Sequence, residues 1–306
     1  MAVNTNDVWP KFTDRLIGWA RPLVLISLGA WCKYFELFLV ISGAGLMSYA
    51  DTATTIARNP LLVVQDFQTF KHKAFAKLWA AYGQGMSEEM PPGTIELLQS
   101  ASGVVLDVGP GTGTQLHLFN PNNVEKIYGV EPAVDMHPEL RRNVEKVGLG
   151  NKYEIIAAGA EVDSLIPALA KKKLLQNYSD DKYQSTGVFD TVVCCRVLCG
   201  VPNPAQTIEG LYKCLKPGGR VLICEHVVNP WPNSGSLIGA VLQRVYMMLG
   251  WSYFIGGCCL DRDTGKLLRN VAKQDGGWEK FDVKYQDSWA CLPFIVGELV
   301  KKSTVH

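Results

Sequence analysis

Residues 104–113, VVLDVGPGTG, restrict the fold more than any other stretch of the chain. An apolar run of Val104, Val105 and Leu106 ends in Asp107, and glycines follow at Gly109, Gly111 and Gly113. Such a run suits a parallel strand buried on both faces, with its carboxyl end opening onto a ligand. The glycines allow φ > 0 without a Cβ penalty and let backbone approach a bound group closely. A following helix, expected to begin near Thr112 or Thr114 and reach Phe119, would present unpaired amide hydrogens beside that turn. Taken alone, these residues also fit an ordinary glycine-rich connection, so the downstream order has to decide.

That order alternates. Short apolar strands are predicted at 126–130, 153–158, 189–194 and 220–224, and helices near 136–147, 163–173 and 205–214. Glu131-Pro132 closes the second strand, and LKPGG at 215–219 reads as a turn before the fifth. Late runs at 281–285 and 295–300 complete seven strands, which predicts an α/β, doubly wound, mostly parallel sheet of Rossmann-like form. Residues 236–253 have enough apolar material for a helix over the ligand face, continued by 261–271. Trp231, Tyr246, Met247, Met248, Trp251, Tyr253 and Phe254 there fit either a lid for a hydrophobic ligand or plain core packing. The chain divides into a hydrophobic, helical extension (1–93) and a ligand-binding domain (94–306) with this cover at 236–271.

At 306 residues the chain can bury one substantial core with an appended helical region. Thirty Lys and Arg against 29 Asp and Glu leave no global basic field, which argues against a nucleic-acid partner. Nine cysteines without a CxxC pair resemble neither a secreted disulfide framework nor a structural zinc module, so reduced thiols and no metal are expected. A cytoplasmic location, or the cytosolic face of an intracellular membrane, follows. Residues 23–50 are strongly apolar, yet Lys33 and Glu36 interrupt them as an i,i+3 pair. Three readings stay open: an interfacial anchor or packed hairpin, soluble helices over the domain or at a homodimer interface, and a membrane span. Residues 51–81 have helical spacing and would cap a face of the domain or line a chamber.

Together the motifs resemble the class I S-adenosylmethionine-dependent methyltransferase family. The resemblance rests on VVLDVGPGTG (104–113), IYGVEP (127–132), AAGAE (157–161), FDTVVCCRVL (189–198) and LKPGGRVLICEH (215–226), in that order, and covers about residues 94–301. The amino-terminal region with CLDRDTGKLL (259–268) is also similar to membrane-associated small-molecule thiol methyltransferases. The resemblance implies an antiparallel seventh strand and S-adenosyl-L-methionine at the carboxyl ends of the first strands. It assigns cofactor contact to Asp107, Gly109, Gly111 and Gly113, with Pro110 departing from the usual residue at its position. Glu131 would accept the ribose hydroxyls, and Ala160 and Glu161 would border the adenine, unless Glu161 is only a helix cap.

Cys195 and Arg196 fall at the reaction face, where backbone would meet the methionine moiety. Packing is the expected role of Cys195, because no local Cys–His arrangement is evident. Arg196 would orient an anionic acceptor or form a surface ion pair. His226, after the fifth strand, is the candidate general base for a phenol, enol or thiol, and alternation turns neighbouring Glu225 away from it. The acceptor is expected to be a hydrophobic small molecule methylated on oxygen or sulfur, with oxygen preferred. An S-adenosylmethionine-assisted cyclase or rearrangement enzyme and a catalytically inactive interaction protein stand as alternatives. Membrane-surface contact is also left open.

Overall fold

The computed structural model describes residues 9–42, 85, 89–175 and 187–303. The expected helices of 51–81 and the polar connection at 176–186 lie outside these residues. Among the described residues a seven-stranded sheet forms the centre, built from β1 (Gly103–Val108), β2 (Val124–Val130), β3 (Tyr153–Ile156), β4 (Phe189–Cys195), β5 (Leu215–His226), β6 (Lys280–Gln286) and β7 (Phe294–Val300). Its order is β3-β2-β1-β4-β5-β7-β6. The first five strands pair in parallel and β7 runs antiparallel to both β5 and β6, as expected from sequence. The order reverses beside β1, which places a crevice at the carboxyl ends of β1 and β4.

Adjacent side chains divide the sheet into two cores. Leu106, Cys194 and Ile223 face one side, with α4 (Val162–Lys171), α5 (Pro204–Cys214) and α8 (Thr264–Val271). Val105, Cys195 and Leu222 face the other, with α2 (Thr94–Gln99) and α3 (His137–Lys146). This two-sided burial is why the strands read as apolar runs without alternation. Each fully buried aliphatic side chain contributes about 1.5–3 kcal/mol relative to exposure.

A third cluster lies at the rim. There α1 (Phe12–Ser42) packs Trp19 against Tyr246 and Trp251 of α6 (Leu237–Met248) and α7 (Trp251–Phe254). Trp19 Nε1–H donates to the Trp289 carbonyl at 3.1 Å, and the Tyr246 hydroxyl donates to the Trp19 carbonyl at 2.5 Å. The helix starts well before Arg21-Pro22 and passes through Pro22 to Ser42, so no hairpin turn falls within 23–42. Among the described residues, no helix is long and apolar enough to cross a membrane.

Three local expectations are corrected. The segment after the glycine turn forms turns and a short 3-10 helix, Leu116–Leu118, because left-handed Gly113 (φ 81) ends one turn where an α-helix would have to run. The predicted helix over 236–253 is two helices broken at Gly250 (φ 90). The fifth strand extends back to Leu215, with Gly218 (φ 75) absorbing the bend at the LKPGG segment.

Candidate active site

The carboxyl ends of β1, β2, β4 and β5 bring most of the sequence-predicted residues to one rim. The turn after β1 is left-handed at Gly109 (φ 62), Gly111 (φ 60) and Gly113 (φ 81), a conformation that L side chains rarely adopt. A Cβ at Gly109 would also lie 2.6 Å from Val197 Cγ2, so the turns after β1 and β4 close on each other only with glycine there. Asn143 Nδ2 of α3 donates to the Thr112 carbonyl at 2.7 Å and ties the turn to the scaffold.

Glu131 is buried at the end of β2, and its carboxylate is spread over two backbone donors. Gly111 N–H donates to Oε2 at 2.9 Å and Ala133 N–H to Oε1 at 2.8 Å. Burial raises its pKa, opposed by those two amides and by the charge of nearby His137. Each oxygen keeps a further lone pair, so Glu131 can shape the turn and still accept a ligand hydroxyl. This exceeds the ribose role expected from sequence.

Asp107 lies beneath the turn, close to Gln115. It is fully buried, its Oδ2 accepts the Tyr153 hydroxyl at 2.8 Å, and its Oδ1 has no hydrogen bond. Burial pushes its pKa up to about 7, with Tyr153 pulling the other way and the Glu131 charge adding to the rise. Gly129 makes the pair possible: a Cβ there would stand 2.1 Å from the Tyr153 hydroxyl oxygen. Sequence reading missed Tyr153, whose signal was a phenol two strands away from an acid, with a glycine on the strand between them.

Ala160 is buried beside the third-strand end. Glu161 is the N-cap residue of α4, and its side chain makes no capping hydrogen bond. At the end of β4, Cys195 is buried and its thiol stands well above the ordinary range through its hydrogen bond to Cys224 and burial, which fits packing and not nucleophilic attack. Arg196 adopts φ 59, a strained conformation costing about 1–3 kcal/mol for a non-glycine residue. Its guanidinium donates to the Glu89 carbonyl at 2.9 Å and lies over the Phe294 ring at 5.7 Å.

The strain at Arg196 leads into a turn that Glu225 organises. Fully buried Glu225 accepts the amides of Val197 and Leu198 at 2.8 Å each and of Cys199 at 3.3 Å. Burial nevertheless raises its pKa to about 8. Glu225 and His226 do point apart, as alternation predicts, but Glu225 is a second residue that sequence reading passed over. Its signal was an acid inside the buried apolar run of a strand.

His226 is partly buried, tilted at 46° against the Phe294 ring with centroids 4.3 Å apart, and its Nδ1 lies 3.8 Å from Cys258 Sγ. Cys199 joins them, so a Cys–His arrangement does exist, assembled through space from distant segments. Of the predicted lid, Tyr246 and Trp251 are core residues, whereas Trp231 and Met248 are exposed.

The comparisons, on a fold and rim of this form, show an S-adenosylmethionine-dependent small-molecule methyltransferase. A family described as a methyltransferase domain matches residues 79–264, and the chain belongs to it. The human thiol S-methyltransferase TMT1B is 27% identical over 215 residues, covering 68% of this chain and 75% of the relative. The ubiquinone biosynthesis O-methyltransferase of Xanthomonas euvesicatoria pv. vesicatoria is 28% identical over 143 residues, 47% of this chain and 51% of that protein. The apo S-adenosylmethionine-dependent methyltransferase SibL shares the fold, with a TM-score of 0.51 at 15% identity over 76% of this chain and 62% of its own. S-adenosyl-L-methionine is the cofactor, and the left-handed glycine turn, the spare lone pairs of Glu131 and the unpartnered Asp107 Oδ1 fit such a polar ligand.

Proposed function

We propose that the chain methylates the sulfur of a hydrophobic small-molecule thiol. The observation that carries this reading is the cluster of buried Cys199 and Cys258 with partly exposed His226 at the end of β5, whose polarisable groups suit packing against a sulfur acceptor. The naming of TMT1B as a thiol methyltransferase supports it and moves the preference away from oxygen. A phenolic or enolic oxygen is the second reading, favoured by the ubiquinone O-methyltransferase likeness.

The cofactor supplies an electrophilic methyl group. The turn of Gly109, Gly111 and Gly113 would hold its amino-acid portion, Glu131 its ribose hydroxyls, and Ala160 with the Glu161 backbone its adenine. The turn containing Cys195 and Arg196 would face the methionine portion. Proximity and alignment supply most of the acceleration in such a site. Incubation with methyl-labelled S-adenosylmethionine and a panel of hydrophobic thiols, phenols and enols, followed by product mass analysis, tests the reading. Labelled thioether is expected; label found on oxygen alone refutes the sulfur assignment.

We also infer that the protein rests on the cytosolic face of an intracellular membrane. Phe12, Leu16, Ile17, Leu23 and Val24 on α1 and Leu237, Ile238, Val241 and Met248 on α6 are exposed, up to 72% at Ile17 and 79% at Met248. Adjacent apolar helix faces of this kind can be covered by the interfacial region of a bilayer. Sedimentation with phospholipid vesicles should remove the protein from the supernatant, and Ile17→Glu with Val241→Glu should return it. A protein that stays soluble with every vesicle composition sinks this assignment.

A further inference from the structure

We propose that Cys199, His226 and Cys258 bind a zinc ion and that its fourth coordination position receives the acceptor sulfur. The second half of this statement rests on the thiol reading above; the first half does not. The three residues come from the turn after β4, the last residue of β5 and the loop after α7, and their donor atoms all lie within 4.8 Å of one another. The Cys258 Sγ to His226 Nδ1 distance is 3.8 Å. Tetrahedral zinc, with Zn–S near 2.3 Å and Zn–N near 2.0–2.1 Å, places neighbouring donors about 3.5–3.8 Å apart. The cluster therefore needs a contraction of about 1 Å at most.

The frame around the donors is already built. Cys259 N–H donates to the Cys199 carbonyl at 2.8 Å, which ties the two cysteine loops together. Cys199 N–H is held by Glu225, and Phe294 packs on the His226 ring. Arg262 reaches the same turn through the carbonyls of Leu198 and Val201. These contacts hold the two cysteine loops and the imidazole ring without using any of the three donor atoms.

A second, independent observation points into the site. The indole of Trp251 is 1% exposed, and its Nε1–H has no hydrogen-bonded acceptor. It packs in the same buried cluster as Cys199 and Cys258. A metal-bound thiolate accepts such an N–H, whereas a neutral thiol is a weak acceptor, so metal binding would satisfy a donor that is otherwise stranded.

Charge balance explains why two thiols and an imidazole can sit here. Two thiolates and Zn²⁺ sum to zero, which lowers the cost of burying the set relative to either thiolate alone. The soft sulfur and imidazole donors select zinc over magnesium or calcium. Only three protein donors are present among the described residues, which is the ligand number of an open zinc site. Cys199 and Cys258 are buried and His226 is partly exposed, so an outside ligand approaches along the His226 side. A thiol that coordinates there loses its proton to solvent and is held as a thiolate. His226 is then a ligand through Nδ1, which replaces the general-base role expected from sequence.

The test starts with the full chain, stripped of metal by a chelator and titrated with Co²⁺ under reducing conditions. About one equivalent should bind and give thiolate-to-cobalt charge-transfer bands with the strong visible bands of tetrahedral cobalt. Cys258→Ser and His226→Gln should each weaken zinc binding by at least tenfold while S-adenosylmethionine still binds, which shows that the variants fold. Adding a hydrophobic alkyl thiol should increase the charge-transfer absorbance, and the matching alcohol should not. Folded wild-type protein that binds below about a tenth of an equivalent of either metal overturns the site. Loss of two hydrogen masses from a Cys199–Cys258 peptide in freshly purified protein would assign the pair to a disulfide and overturn it as well. A cobalt spectrum unmoved by thiols overturns the fourth position. Labelled thioether formed by metal-free protein overturns the zinc role and leaves the thiol reading standing.

Discussion

Replacing Tyr153 by Phe removes one oxygen and no carbon, and so isolates the bond to Asp107. That carboxyl is fully buried, Tyr153 donates to it at 2.8 Å, and burial holds its pKa up near 7. An unfolded Asp titrates near 3.9. Between these values the folded chain binds the proton that the unfolded chain has released. The contribution of this group to stability is therefore fully present below the unfolded pKa and is lost as pH rises through about 7. Tyr153 lowers the Asp107 pKa, so Tyr153→Phe moves it higher and makes ionisation more costly. Near pH 6 the variant loses a neutral hydrogen bond, about 1 kcal/mol; near pH 8.5 it loses one to a charge, about 2 kcal/mol. For a chain of this size about 1 kcal/mol is roughly 2–4 °C. Differential scanning calorimetry should then show Tm deficits of about 2–4 °C near pH 6 and about 4–8 °C near pH 8.5. A deficit that is constant, or smaller at the higher pH, refutes this account of Asp107. Gly129→Ala should reproduce the pH trend with an added steric cost of about 1–3 kcal/mol, because its methyl would displace the same hydroxyl.

Glu131→Gln places an amide N–H₂ against one of two backbone donors, so S-adenosylmethionine should bind at least about tenfold more weakly by calorimetry, about 1.4 kcal/mol, with little loss of fold. Glu225→Gln opposes one of three buried amides and should cost about 2 kcal/mol; turnover should fall more than cofactor affinity, because the disturbed turn holds Cys199. Glu225 titrates near 8 in the fold and near 4.3 unfolded, so the wild type loses stability as pH rises through about 8 and the variant does not. The Tm gap between them should narrow from about pH 6 to about pH 9, and a widening gap would show that Glu225 is stabilised as the anion.

The sheet was legible because its signal is local. Apolar runs around Leu106, Val192 and Leu222 announce buried parallel strands wherever they occur, and LKPGG marks its own bend. The strand positions and the antiparallel β7 followed from that pattern and from the family resemblance. What misled was backbone geometry finer than the pattern. Three glycines at 109, 111 and 113 announce a turn but do not say that left-handed geometry continues to Gly113 and delays regular helix. Likewise Gly250 looks tolerable inside an apolar helix until its φ of 90 shows that the helix stops there.

The site residues divide along the same line, by whether their partners are near in sequence. Glu131 and the glycine turn follow the two adjacent strands β1 and β2, and Glu131 with its Gly111 and Ala133 donors was approachable from the motif. Tyr153 with Asp107, and Glu225 with the Cys199 turn, depend on strand register: a shift of one residue would turn either carboxyl to the opposite face of the sheet. Cys199, His226 and Cys258 are more remote still, with no CxxC or His-x-His spacing to mark them, so counting local motifs argued against a metal. Parallel topology alters that inference. It gathers the ends of β4 and β5 side by side, and the cover after α7 folds back over both, so three isolated donors become neighbours at the acceptor rim. In a sheet of this kind, metal-ligand spacing has to be counted across strand ends as well as along the chain.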